Sequence, residues 1–232
     1  MIGISGLYSS DKKKIKLNHK LPNNDSQFKF EIYKNNNLFI SYLNKRNQIS
    51  HFQQNNIFSI CLGDVEHNNT LFEGKDSSKI LFNYYKKNKI SEFLEKSGNF
   101  IFLIIDGEKL IIGKSKNSII PFFYYYDKKN FIFSYELINV QSNLDKELDL
   151  NLYKFGQLIL TNGVILDNET IFKKINFLLN GEILTINQNK ISFQRKPYFT
   201  YHPKFEKINY HLENVSNNLK FALNKLDKNN TF

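Results

Sequence analysis

The side chains able to do chemistry are few and scattered. Cys61, the one cysteine of the chain, would be a nucleophile if a base or a cationic setting lowered its pKa. It stands in the apolar run Asn56-Ile57-Phe58-Ser59-Ile60-Cys61-Leu62-Gly63 with no histidine beside it. That setting favours a buried structural thiol, and Ser5 and Ser9 meet the same objection. Asp64, Glu66 and His67 offer three metal-type ligands in a short span. Strand alternation would put Asp64 and Glu66 on one face and His67 on the other, so a surface loop is the preferred reading. His19, His51, His202 and His211 are dispersed without ligand spacing. Gly74-Lys75-Asp76-Ser77 superficially suggests a phosphate loop, but the earlier glycine is missing and Asp76 follows the lysine where Ser or Thr is required. Gly63 closes an apolar run, where glycine permits an unusual backbone angle or the close approach of a ligand.

The elements that must carry these residues read mostly as strands. Residues 3–8 mix small and apolar side chains and form a buried first strand. Residues 28–33 and 38–43, parted by the turn Lys34-Asn35-Asn36-Asn37, suit a hairpin, and 56–63 is a further strand. From Asp76 the period changes: Ile80, Leu81, Tyr84 and Tyr85, then Ile90, Phe93 and Leu94, recur at helical spacing. Runs 100–106, 109–112, 122–126 and 131–135 follow in meander order, which predicts an antiparallel sheet. Residues 150–160 read as a helix, 181–186 and 190–194 as a last hairpin, and 208–226 as an amphipathic helix with Leu212, Val215, Leu219, Leu223 and Leu226 on its apolar side. The stretch 197–203 is the candidate boundary, giving a main domain over 1–196 and an extension over 197–232.

Composition narrows the partners. With 232 residues and 41% hydrophobic content the chain can bury a sizeable core. The formal charge of +10 would attract a polyanion, but the lysines are spread in short runs and no RNA-binding strand motif, zinc-finger spacing or basic heptad accompanies them. A basic polyanion-binding module is therefore kept only as an alternative, and nucleic acid is not the expected partner. The single cysteine excludes an internal disulfide and suits a reducing compartment. With no signal-peptide pattern and no apolar run long enough to span a bilayer, a cytoplasmic protein without a membrane partner is expected.

The order of several segments resembles the class II glutamine amidotransferase domain at the front of asparagine synthetases and related β-lactam and lasso-peptide synthetases. Met1-Ile2-Gly3-Ile4-Ser5-Gly6 is similar to Met-Cys-Gly-Ile-Ala-Gly, and Leu62-Gly63-Asp64-Val65-Glu66-His67-Asn68 to Asn-Gly-Glu-Ile-Tyr-Asn. Asp76-Ser77-Ser78 matches a Ser-Asp-Thr-Glu segment, and Leu94-Glu95-Lys96-Ser97-Gly98-Asn99-Phe100 the entry to the next strand. Residues 113–125 resemble Arg-Asp-Arg-Phe-Gly-Val-Lys-Pro-Leu-Tyr-Tyr, with Lys114, Ser115 and Lys116 in place of Arg-Asp-Arg. Phe133-Ser134-Tyr135-Glu136 is similar to Phe-Ala-Ser-Glu, and Thr170-Ile171-Phe172-Lys173-Lys174-Ile175 with Leu178, Leu179 and Gly181 to Thr-Ile-Phe-Lys-Gly-Ile and Leu-Pro-Pro-Gly.

The resemblance implies an α+β fold, a four-layer αββα sandwich of two antiparallel sheets of the amino-terminal-nucleophile (Ntn) hydrolase type. It also implies a damaged site. Active members attack the glutamine amide with a cysteine exposed by Met removal, its free α-amine acting as base. Ile2 stands there, with no lone pair and with bulk that opposes Met removal. Leu62 replaces the asparagine amide of the oxyanion hole and leaves Gly63 alone. Asp76 matches the aspartate that holds the substrate amine, and reads equally as the N-cap of the helix after it. No residue matches the arginine that grips the substrate carboxylate. The implied function is a catalytically inactive glutaminase-like domain with a vestigial pocket at Ile2, Leu62, Gly63 and Asp76, packing through apolar faces, that of 208–226 above all, against an ATP-pyrophosphatase-type synthetase domain or subunit. A homodimer is a further option. No cofactor or metal is expected in this chain; ATP and Mg belong to the synthetase, whose nucleotide loop would begin near residues 229–232, so that the two halves are one longer protein or separate polypeptides. An amidohydrolase with a non-standard nucleophile such as Cys61 is the enzyme-class alternative.

Overall fold

The computed structural model describes residues 3–9, 29–35, 37–44, 49–67, 70–72, 75–127, 130–144, 147–163, 167–187, 190–195, 216, 217 and 220. The chain divides into two compact units, Met1–Tyr198 and Phe199–Phe232. In the second, Ser216, Asn217 and Lys220 are helical and exposed; the rest of the helix expected over 208–226 lies outside the described residues.

In the first unit, strands β1 (Gly3–Ser9), β2 (Lys29–Lys34), β3 (Leu38–Asn44), β9 (Phe123–Tyr126), β10 (Asn130–Ser134) and β11 (Ile175–Phe177) form one sheet in the order β11-β9-β10-β1-β3-β2. Strands β4 (Ile49–Gln54), β5 (Ile57–His67), β7 (Gly98–Asp106), β8 (Lys109–Lys114), β12 (Glu182–Asn187) and β13 (Lys190–Arg195) form the second, in the order β13-β12-β8-β7-β5-β4, and β6 (Thr70–Phe72) pairs with the far end of β5. Every pairing among the described residues is antiparallel.

Strand alternation decides the layers. Ile4, Tyr8, Ile40 and Phe133 of the first sheet share one buried cluster with Ile60, Leu62, Ile101, Leu103, Ile112 and Leu184 of the second, which is the core between the sheets. The opposite face of the second sheet, with Cys61, Val65, Phe100, Phe102 and Ile104, packs on Leu81 and Phe82 of α1 (Lys75–Lys86) and Phe93 and Leu94 of α2 (Ile90–Leu94). Leu7, Tyr125 and Ile132 on the outer face of the first sheet meet Val140 of α3 (Leu137–Ser142). Helices therefore flank two stacked antiparallel sheets, the expected α+β sandwich. Gly6 and Gly113 make room for single rings: a Cβ on Gly6 would lie 2.2 Å from the Phe133 ring, and one on Gly113 2.2 Å from that of Phe102.

Phe93 ties the helical layer to the second sheet. It is fully buried, its ring centroid 5.2 Å from Phe100, 5.5 Å from Phe102 and 5.6 Å from Tyr84. Phe93→Ala is expected to lower the unfolding free energy by about 3–5 kcal/mol, since the cavity it leaves is walled by rings already fixed by the sheet. A urea titration in which the midpoint falls while the slope is kept checks this.

Three expectations need correction. The four runs of the supposed meander do not share a sheet: β7 and β8 pair in the second sheet, β9 and β10 in the first. Between them the chain crosses at 115–122, where Pro121 has no N–H to extend a ladder and Ile119 donates its N–H sideways to Asn99 Oδ1 at 3.0 Å. Asp64, Glu66 and His67 belong to β5 rather than to a surface loop, because that strand continues past Gly63 along β7 and β6. Asp76 is the second residue of α1, not its cap. Beyond the expected elements, β4, β6, β11 and α3 are present. β4 is an edge strand that exposes His51, Gln53 and Gln54, so its polar sequence carries little apolar alternation.

Candidate functional site

At one end of the space between the sheets, Leu62, Gly63, Asp64, Asn99, Ile119, Ile120, Pro121 and Tyr135 line a cleft of about 330 Å³. Gly63 lines its floor, and Gly98 lies diagonally across the ladder from it, opposite Val65. Gly63 has φ +96°, and a Cβ there would stand 2.0 Å from the Asn99 carbonyl oxygen; Gly98 has φ +136°, and its Cβ would stand 2.1 Å from that of Asp64. Neither backbone angle suits an L side chain, so β5 and β7 approach more closely here than ordinary residues allow. The glycines bracket the pair Asp64–Asn99, directly opposite each other across the ladder.

Two serines and an asparagine hold the cleft wall in place. Ser115, fully buried, donates its Oγ–H to the Gly98 carbonyl at 2.9 Å and accepts the Phe100 N–H at 3.2 Å. Asn99 Oδ1 accepts from Ser118 Oγ at 3.2 Å and from the Ile119 N–H, which fixes the apolar segment 119–121 above the floor. On the other side, the Tyr135 N–H bonds the Ile4 carbonyl at 3.1 Å, and Ser5 Oγ bonds Ser134 Oγ at 2.7 Å. The cleft is thereby tied to the start of β1. The Tyr135 hydroxyl donates to Glu136 Oε1 at 2.8 Å; burial first, then that carboxylate, pushes its pKa well above the ordinary phenol value.

Of the residues singled out in the sequence, Leu62 and Gly63 meet in this cleft. Asp76 lies in the first turn of α1, which rests on the helix-covered face of the second sheet: the Ser78 N–H bonds Ser50 Oγ at 3.1 Å, and Ser59 Oγ donates to the Ser78 carbonyl at 3.0 Å. Ile2 lies outside the described residues. Asn99, Tyr135 and Pro121 appear in the segments compared above, yet nothing in their spacing places them in one cleft. They meet because β5, β7, β10 and the crossover converge there.

Two further groups matter. Cys61 is fully buried under the helical layer, and burial, with Asp64 adding to it, raises its thiol pKa far above the ordinary value. It is expected to resist thiol reagents in the folded chain and to react fully once denatured, with labelling kinetics as the check.

Lys114 is the second. It has the parity of Leu110 and Ile112 on β8, so it faces the space between the sheets, opposite Ile101 and in one row with Leu62. It is 9% exposed, no described residue bonds its ammonium, and burial alone lowers its pKa from 10.5 to about 8. Between those values the unfolded chain holds a proton that the folded chain has released. Stability is therefore expected to rise as the pH climbs from about 8 toward 10.5, by about 2 kcal/mol after allowing for residual solvent screening. Lys114→Met should raise stability at neutral pH and flatten that rise, as urea midpoints across the pH range would show. Among the described residues no group of three His, Cys, Asp or Glu side chains could hold a metal, and no helix is long and apolar enough to cross a membrane.

A family model for the glutamine amidotransferase domain matches residues 62–199, a span that includes Leu62, Gly63 and Asp76 but not Ile2. No curated protein sequence matches the chain. Among solved structures it is similar to the glutamine phosphoribosylpyrophosphate amidotransferase from B. subtilis complexed with ADP and GMP, with 14% identity and a TM-score of 0.41 over 71% of this chain and 36% of that one. It is also similar to a structure of the allosteric regulatory enzyme of purine biosynthesis, with 13% identity and a TM-score of 0.42 over 85% of this chain and 43% of that one. The chain thus spans less than half the length of either. The family match covers more than half of this sequence and takes in the β5–β7 floor, the crossover and the last hairpin, and on that ground the chain belongs to the glutamine amidotransferase domain family.

Proposed function

We propose that this chain is a glutamine amidotransferase-like domain without glutaminase activity that serves a structural or docking role for an ATP-dependent, amide-forming enzyme of the asparagine-synthetase type. The observation that carries the reading is Leu62. At the position where the resemblance calls for a side-chain amide to stabilise the oxyanion, it is 2% exposed and packed into the core between the sheets. An alkyl group there supplies no donor to a developing negative charge. Ile2, at the nucleophile position, likewise carries no atom able to attack. ATP and Mg would act in the partner, not in this chain.

A docking role is supported by helix α4 (Leu152–Leu160), which is turned inside out. Its charged Lys154 is buried and paired with Asp167 and, at 3.5 Å, Glu169, while Leu152, Tyr153, Ile159 and Leu160 are between 65% and 87% exposed. An apolar face of this kind on a surface helix marks a contact surface. The test is ammonia release from L-glutamine by the purified chain. Turnover that survives every change at residue 2 would overturn the reading.

A further inference from the structure

We propose that two copies of this chain pair through helix α4, packed antiparallel about a two-fold axis that passes by Gly156. The inference starts from the arrangement of the exposed face. Each helical residue turns the chain by about 100°, so Leu152, Tyr153, Ile159 and Leu160 all lie within about 60° of Gly156 around the axis of α4. All four are mostly exposed. No charged side chain shares the face, because the helix's one charge, Lys154, is buried and paired with Asp167 and Glu169.

Gly156, at the centre, is the residue that packing within one chain does not account for. A glycine in a helix interior weakens the helix relative to alanine. Here the backbone needs no positive φ and nothing lies within 4 Å of the Cβ position, so no described neighbour requires the missing side chain. A second helix that brings its own backbone close does require it.

The pattern of the face selects the partner. Leu152 and Leu160 stand four residues before and after Gly156, and Tyr153 and Ile159 three residues before and after it. An antiparallel second copy crossing at Gly156 therefore sets Leu152 against Leu160 of the second copy and Tyr153 against Ile159 of the second copy, with the two glycines facing each other. A surface that meets its own copy in this reciprocal way is what a two-fold, isologous interface requires, and the opposed helix dipoles favour the arrangement. The size agrees. At roughly 100–150 Å² for each of these side chains, with half-exposed Phe155 at the rim, pairing removes about 1,000–1,400 Å² from the two copies together. That reaches the roughly 1,000 Å² expected of a specific interface.

The proposal goes beyond the docking reading and shares with it only the premise that this face is a contact surface. Ammonia release bears on the missing chemistry and self-association on this pairing, so the two fail separately. The full chain is followed by analytical ultracentrifugation over a concentration series, and a dimer that dissociates on dilution is expected. Gly156→Gln introduces a better helix former into open space. It should melt no lower than the parent when both are dilute, yet weaken association by about tenfold or more, because its side chain stands between the two helices. Leu152→Glu and Leu160→Lys, each alone, should also weaken association, since each buries a charge without a partner. Combined in one chain, the two changes meet as opposite charges across an antiparallel pair and should recover part of the lost association; a parallel pair would set like charges together and recover nothing. Melting curves check that these exposed positions leave the fold intact. A chain that stays monomeric at every concentration, as it would if a different protein or another part of the chain took this face, overturns the proposal. So does unchanged association in Gly156→Gln, or a double variant that associates no better than either single one.

Discussion

Incubated with L-glutamine, the chain is expected to release ammonia no faster than buffer, and the single change Ile2→Cys to leave it so. Two losses have to be reversed together. A cysteine at residue 2, exposed by Met removal, would supply the thiolate and its α-amine base. Without an amide at Leu62 the tetrahedral oxyanion would still lack a donor, and a missing donor of that kind lowers turnover by about 100- to 1000-fold. Ile2→Cys combined with Leu62→Asn is therefore expected to give the first measurable hydrolysis, ahead of Ile2→Cys alone by about that factor. The second change has its own cost. Leu62 is 2% exposed within the apolar core, and an asparagine there loses about 1–3 kcal/mol wherever its amide finds no partner. The double variant should thus be more active and less stable than its parent, a combination read from one ammonia assay and one melting curve. Hydrolysis by the parent chain would show that a different nucleophile operates.

Gly63→Ala is expected to destabilise the domain by about 3–5 kcal/mol, from the strain of φ +96° on an L residue together with a methyl carbon 2.0 Å from the Asn99 carbonyl. The oxygen cannot swing aside as a flexible side chain would, because it belongs to the backbone of β7. Gly107→Ala is the control. That residue also has a positive φ, +59°, but nothing lies within 4 Å of its Cβ position, so only the conformational part, about 1–2 kcal/mol, should appear. Urea midpoints of the two variants separate strain from collision. Equal losses would mean that β5 and β7 do not approach as closely as the cleft floor requires.

Much of the fold can be read along the chain, because alternation and helical spacing are local. Ile4, Ile60, Leu62 and Leu103 announce strands with one face for the core, and the spacing of Ile80, Leu81 and Tyr84 announces α1. The same locality hides other things. β4 is an edge strand whose exposed side is polar, so Ile49–Gln54 shows no clear signal. The two hairpins β7–β8 and β9–β10 look like one meander, since sequence period tells which side chains share a face but not which sheet receives the next strand. Among the residues of the candidate site, Leu62 and Gly63 are legible through the resemblance. Asn99, Ile119 and Tyr135 are not, for they come from three separate stretches and share no spacing.

The sequence by itself determined the alternating and helical segments, the order of motifs that leads to the glutamine amidotransferase domain family, and the identities of Ile2 and Leu62, because side-chain chemistry is fixed by residue type. Only the tertiary structure decided which strands pair, that two glycines bring β5 and β7 together beneath a cleft, and that Lys114, one lysine among many in the sequence, is largely buried on the face between the sheets. The physical reason is that burial, charge compensation and close backbone approach are properties of whatever packs opposite a residue, and that neighbour is supplied by a distant part of the chain.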